Sequence, residues 1–62
     1  MRQQFEYKGR TIDVRTRKIG RGWVWIYQID SGPLREGLDR ALPDEELALK
    51  EGVEVAKREI DG

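Results

Sequence analysis

Trp23, Trp25 and Tyr27 occupy alternate positions between Gly22 and Asp30, separated by Val24, Ile26 and Gln28. A period of two places the three rings on one side of a strand and the intervening residues on the other. Two shorter segments before it follow the same rule. From Arg2 to Tyr7, Phe5 and Tyr7 share a face opposite Gln4 and Glu6. From Arg10 to Arg17, Ile12 and Val14 share a face opposite Thr11, Asp13, Arg15 and Arg17. Lys8-Gly9 reads as a tight hairpin turn, with Gly9 supplying positive φ, and Lys18 to Gly22 reads as a loop. The third strand, Trp23 to Ile29, ends at the turn Asp30-Ser31-Gly32-Pro33.

The period changes after Pro43. Asp44, Glu45 and Glu46 crowd the start of a segment whose end carries Lys57 and Arg58, the polarity that suits a helix macrodipole. Leu49, Val53, Ala56 and Ile60 form its apolar stripe, with Gly52 beside it. A glycine inside a helix costs about 1 kcal/mol relative to alanine. Its place here predicts close contact with a large ring, so Trp25 and Tyr27 are expected beneath the helix at Gly52 and Ala56. Leu34, Leu38 and Leu42 recur every four residues, but Gly37 and Pro43 argue against a helix there. That stretch is expected to be mostly irregular, laying one or two leucines on the core, with room for a short strand near Leu34. The expected fold is α+β: a three-stranded antiparallel meander against one C-terminal helix (βββα), in a single domain. The sheet is expected over residues 2–30, the connection over 31–43 and the helix over 44–60.

Size and composition narrow the function. A chain of 62 residues buries only about 60% of its unfolded surface, so stability is marginal and association is the first reinforcement to look for. The absence of Cys and His removes disulfides, ordinary catalytic triads and the usual ligands of zinc, copper and iron. No enzymatic activity, metal, cofactor or small-molecule substrate is therefore expected. Ser31, the single serine, sits in a turn where its hydroxyl bonds locally. The Asp44-Glu45-Glu46 cluster reads as a helix start rather than a hard-cation site. Gly20-Arg21-Gly22 leads into a strand, so it lacks the helix N-terminus that grips phosphate. A chain that is 39% charged with a mean hydropathy of −0.78, without a signal-peptide core or a membrane-length apolar run, is expected in the cytoplasm.

The net charge of zero hides an asymmetry. Residues 1–30 hold seven basic groups against three acidic ones, a net +4; residues 31–62 hold five against nine, a net −4. This is either a half that faces a polyanion or the solvated acidic face of a helix. Two binding surfaces follow. Arg15, Arg17, Val24, Ile26 and Gln28 on the outer sheet face form a candidate surface for a protein partner or a second copy of the chain. The alternative is a sheet that reads duplex DNA through Arg10, Arg15, Arg17, Lys18, Arg21 and Gln28.

The order Phe5-Glu6-Tyr7-Lys8-Gly9-Arg10-Thr11-Ile12, then Gly22-Trp23-Val24-Trp25, then Ala56-Lys57-Arg58-Glu59-Ile60-Asp61 resembles small, uncharacterised bacterial proteins of sheet-plus-helix type. That resemblance implies a compact meander with a C-terminal helix and transfers no activity. The architecture is also similar to the plant ethylene-response DNA-binding domain and to integrase arm-binding domains, a likeness of fold alone.

Overall fold

Lys8 and Gly9 both take positive φ, 51° and 77°, the pattern of a type I′ turn whose twist matches the strands it joins. In the computed structural model, which describes residues 1–37 and 40–62, this turn joins β1 (Arg2–Tyr7) to β2 (Arg10–Ile19). Gly20 takes a φ of 57°, as the first central position of a type II′ turn requires, and returns the chain into β3 (Gly22–Ile29). A short strand, β4 (Arg35–Glu36), follows, and α1 (Glu45–Asp61) closes the chain. The sheet is antiparallel in the order β1-β2-β3-β4, with the single helix laid on one face.

The sheet thus has four strands, not the three expected. Arg35 pairs with Tyr27 and Glu36 with Ile26. The amide of Gly37 donates to the Trp25 carbonyl at 3.0 Å, and Leu42 exchanges two backbone hydrogen bonds with Trp23 at 2.7 and 2.8 Å. The free edge of β3 is therefore satisfied over most of its length, in part by the short strand for which the sequence left room near Leu34. Leu34 projects into solvent at 62% exposure rather than onto the core. Leu38, the middle member of that leucine series, lies outside the described residues.

Gly37 brings the backbone against the Trp25 ring. A Cβ on Gly37 would fall 2.3–2.8 Å from three atoms of the indole. Only a glycine lets the backbone pass this close to the ring and still reach β3.

The helix begins at Asp44, whose carboxylate accepts from the Glu46 amide at 2.8 Å, and ends at Gly62, whose amide donates to the Arg58 carbonyl at 3.1 Å. Its buried line is Ala48, Gly52 and Ala56, spaced four apart. Leu49, Val53, Val55 and Ile60 flank that line half-buried. The expected stripe is accordingly rotated toward small residues. A Cβ on Gly52 would lie 2.7 Å from the Trp25 Cβ and 2.8 Å from the Val14 Cγ1. The helix rides so close to the sheet that only small side chains fit along the contact line.

Below it, Ile12, Val14, Tyr27 and Ile29 form the buried core with Ala56. Tyr27 is 4% exposed, while Trp25 is half-buried, reaching past the helix edge to donate from Nε1 to Glu51 at 2.8 Å.

Candidate interaction surface

Strand register decides which side chains share the face opposite the helix. Arg15 stands across from Ile26, Arg17 from Val24 and Asp13 from Gln28, while β1 sets Arg2 against Arg15 and Gln4 against Asp13. Glu36 lies across from Ile26 on the other side. The outer face is therefore Arg2, Gln4, Glu6, Thr11, Asp13, Arg15, Arg17, Val24, Ile26, Gln28 and Glu36 in four rows.

Asp13 is the centre of this face. It is 9% exposed, and Arg2 approaches it with two parallel donors, Nε at 3.1 Å to Oδ1 and Nη2 at 3.0 Å to Oδ2. Arg15 Nη2 donates to Oδ2 at 3.2 Å and Gln4 Nε2 at 3.4 Å. Burial works to raise this carboxyl, but the hydrogen bonds and charges of Arg2 and Arg15 outweigh it and hold the group below the usual carboxylate range. Both arginines remain about half exposed, at 53% and 50%.

Arg17 reaches the other way. Its Nη2 meets Glu36 Oε2 at 2.7 Å. Because β2 and β4 flank β3, this pair crosses over the outer side of β3 beside Val24 and Ile26. Val24 is 2% exposed, a correction to its expected place as an open contact residue. Ile26 and Gln28 are half-buried. Gln28 turns its side-chain amide inward to the sheet end, donating to the Gly32 carbonyl at 2.8 Å.

The basic residues proposed for DNA do not gather on one surface. Arg15 and Arg17 lie on the outer face, whereas Arg10 and Lys18 have the register of the helix side, near opposite ends of β2. Arg10 Nε is bound to Asp30 at 2.5 Å. Asp30 also accepts the Thr11 amide at 3.0 Å, and that backbone bond, followed by Arg10, lowers its carboxyl. The Lys18 ammonium stands 5.8 Å from the centre of the Trp23 ring. Arg21 is exposed at the β2–β3 turn. Lys18 and Arg21 form no ion pair among the described residues.

The acidic cluster at the helix start is occupied by structural contacts. Asp44 caps the helix, and Glu45 accepts from the Met1 ammonium at 2.5 Å and from the Thr16 hydroxyl at 2.7 Å. Those bonds, the Met1 one foremost, lower the Glu45 carboxyl.

Sequence reasoning had placed Asp13, Gln4 and Glu6 on this face by their period of two without assigning them a part in it. Glu36 was not assigned to this face, because the short strand expected near Leu34 carried no register against β3. No helix among the described residues is long and apolar enough to cross a membrane. Comparison with known proteins gave no matching family model, no matching curated protein and no matching solved structure.

Proposed function

We propose that this chain is a small non-enzymatic binding or regulatory module, of bacterial type and cytoplasmic, that engages a protein partner or a second copy through its outer sheet face. The observation that supports this reading is the charge balance of that face. Arg2, Arg15 and Arg17 are matched by Glu6, Asp13 and Glu36, and a half-buried Ile26 lies among them. Charges of both signs around a small apolar centre suit the specific geometry of a protein contact, where complementarity sets register and partner choice. Duplex DNA instead selects a surplus of cations along one surface. Of its basic residues, that alternative is left with Lys18 and Arg21 without an ion pair among the described residues.

Amide chemical shifts followed over a concentration series test the reading, with and without an Ile26→Glu, Arg15→Glu double substitution that leaves the helix side intact. Shifts centred on Arg15, Arg17, Ile26 and Gln28, abolished by the substitutions, support self-contact through the face. For a separate partner, the same pair of proteins serves as bait, and capture must be lost with the double variant. Equal capture by both proteins, with no concentration dependence in either, defeats the reading. Retardation of random duplex DNA at low salt that falls by orders of magnitude at moderate salt would install the alternative.

A further inference from the structure

The two edges of the sheet are treated differently. The β3 side is covered by β4, Gly37 and Leu42, whereas among the described residues β1 has a partner on one side only. In a two-residue hairpin the pair flanking the turn is hydrogen bonded, and bonded and non-bonded pairs then alternate. Tyr7 with Arg10, Phe5 with Ile12 and Gln3 with Val14 are therefore the bonded pairs, and the Thr16 amide continues the series to the Met1 carbonyl at 3.0 Å. The amides and carbonyls of Arg2, Gln4 and Glu6 point away from the sheet.

We infer that β1 is a homodimerisation edge, pairing antiparallel with β1 of a second copy about a two-fold axis at Gln4. In that register Arg2 stands opposite the second copy's Glu6, Glu6 opposite its Arg2, and Gln4 opposite itself. All three are outward-facing residues, so each pairing is of the doubly bonded kind, giving about six new backbone hydrogen bonds. The charges are complementary at both ends. Glu6 forms no ion pair among the described residues. Arg2 uses Nε and Nη2 on Asp13, and a guanidinium carries five donors, so it can serve both carboxylates. Other registers of the same parity leave Arg2 or Glu6 facing Gln4, and a parallel pairing in register stacks Arg2 on Arg2. Charge pattern and hydrogen-bond parity thus select one closed arrangement, and a β4 of two residues gives growth no second edge.

The surroundings of the edge fit the same partner. The helix lies over β2 and β3, and beside β1 it leaves a groove of about 570 Å³ lined by Met1, Gln3, Leu47, Leu49 and Val53 with polar neighbours. Met1 and Leu47, 51% and 49% exposed, are among the largest open apolar side chains of the protein, and both stand on this side. In this register Met1 and Gln3 stand opposite the second copy's Tyr7 and Phe5, so each groove faces the half-buried rings of the other β1. The pairing makes an eight-stranded continuous sheet, and it stands or falls separately from the reading of the outer face.

Sedimentation velocity between roughly 10 µM and 1 mM, the range open to a small interface, is expected to show monomer passing to dimer. Gln4→Pro removes the outward amide at the two-fold axis without touching a β1–β2 hydrogen bond, and should weaken association at least about tenfold. Glu6→Arg sets like charges opposite Arg2 and should act in the same direction, and it decides the matter if the proline variant proves unfolded by circular dichroism. In the wild type, the amides of Arg2, Gln4 and Glu6 should shift with concentration. A monomer at 1 mM overturns the proposal. So does a dimer that a folded Gln4→Pro leaves unchanged, or one whose shifts fall on Arg15, Arg17 and Ile26, which would assign association to the outer face instead.

Discussion

Gly52→Leu puts the helix–sheet contact to the test. The first side-chain atom added would lie 2.7 Å from the Trp25 Cβ, 2.8 Å from the Val14 Cγ1 and 3.1 Å from the Trp25 Cγ. Non-bonded carbons rest at about 3.5–4.0 Å, so helix and sheet must part by most of an ångström. The obstructing atoms are the roots of side chains on paired strands, not flexible tips, and they cannot turn aside. Replacing a helical glycine gains about 0.8 kcal/mol of propensity, whereas overpacking costs about 1–3 kcal/mol and leucine stands at the upper end. The net loss is about 2 kcal/mol, which in a domain of this size lowers Tm by about 8–16 °C.

Thermal denaturation followed by far-ultraviolet circular dichroism reads the loss directly. Gly52→Ala should fall between wild type and Gly52→Leu, its propensity gain offset by the same contact. Combining it with Val14→Ala, which removes one obstructing methyl, should make the pair less damaging than the sum of the singles. An unchanged or raised Tm in Gly52→Leu refutes the packing, because the helix would then have free space at that point.

Three further outcomes follow from individual side chains. Burial, then the hydrogen bond to Glu59, pushes the Tyr27 phenol up to about 12. Its neutral form therefore contributes stability in full below about pH 10 that is lost as pH rises toward 12, and denaturant titrations should show a shallower alkaline loss in Tyr27→Phe. Asp13 has the opposite sign: held below the usual range by Arg2 and Arg15, it contributes stability above about pH 4 that is lost on acidification through its folded value. Asp13→Asn should flatten that part of the acid profile between pH 5 and pH 2, while Asp30, Glu45 and Asp61, also lowered, maintain the remainder. Gly37→Ala drives a methyl into the Trp25 indole and should cost about 1–3 kcal/mol while changing tryptophan emission; unaltered emission and stability would show that the ring does not rest on the backbone there.

The three long strands and the helix were legible because each carries its own period. Ile12 and Val14, or Trp25 and Tyr27, declare a face within a few residues, and the acidic Asp44, Glu45 and Glu46 before the basic Lys57 and Arg58 give the helix its direction. What sequence could not show is whatever depends on a distant partner. The sequence left room for a short strand near Leu34, but its pairing of Arg35 with Tyr27 and Glu36 with Ile26 depends on the edge that β3 offers, which those two residues do not announce. Ala48 joins the contact line because the helix is drawn close over Trp25, whereas a hydropathy count prefers its larger neighbours Leu47 and Leu49. Val24 looked open because alternation alone assigns it to the solvent face. The Arg17–Glu36 pair that crosses its strand is invisible without β4.

The charge asymmetry between the halves acquires a structural meaning from those same distant contacts. Arg17 pairs with Glu36, Lys8 with Asp61 at 2.7 Å and the Met1 ammonium with Glu45 at 2.5 Å, each joining the basic half to the acidic one. Lys57 returns the exchange, standing 5.7 Å from the Phe5 ring centre and 5.3 Å from that of Tyr7. A positive first half and a negative second half therefore close on each other, tying the start of the helix to β1 and β2 and its end to the first hairpin. These contacts are exposed and individually weak, so they set orientation more than stability. A polyanion competing for Arg2, Arg15 or Arg17 would have to displace a carboxylate already in place. That competition is the physical reason for reading the outer face as a protein surface, and it leaves the free hydrogen-bonding edge of β1, where no such competitor is bound, as the more open route to association.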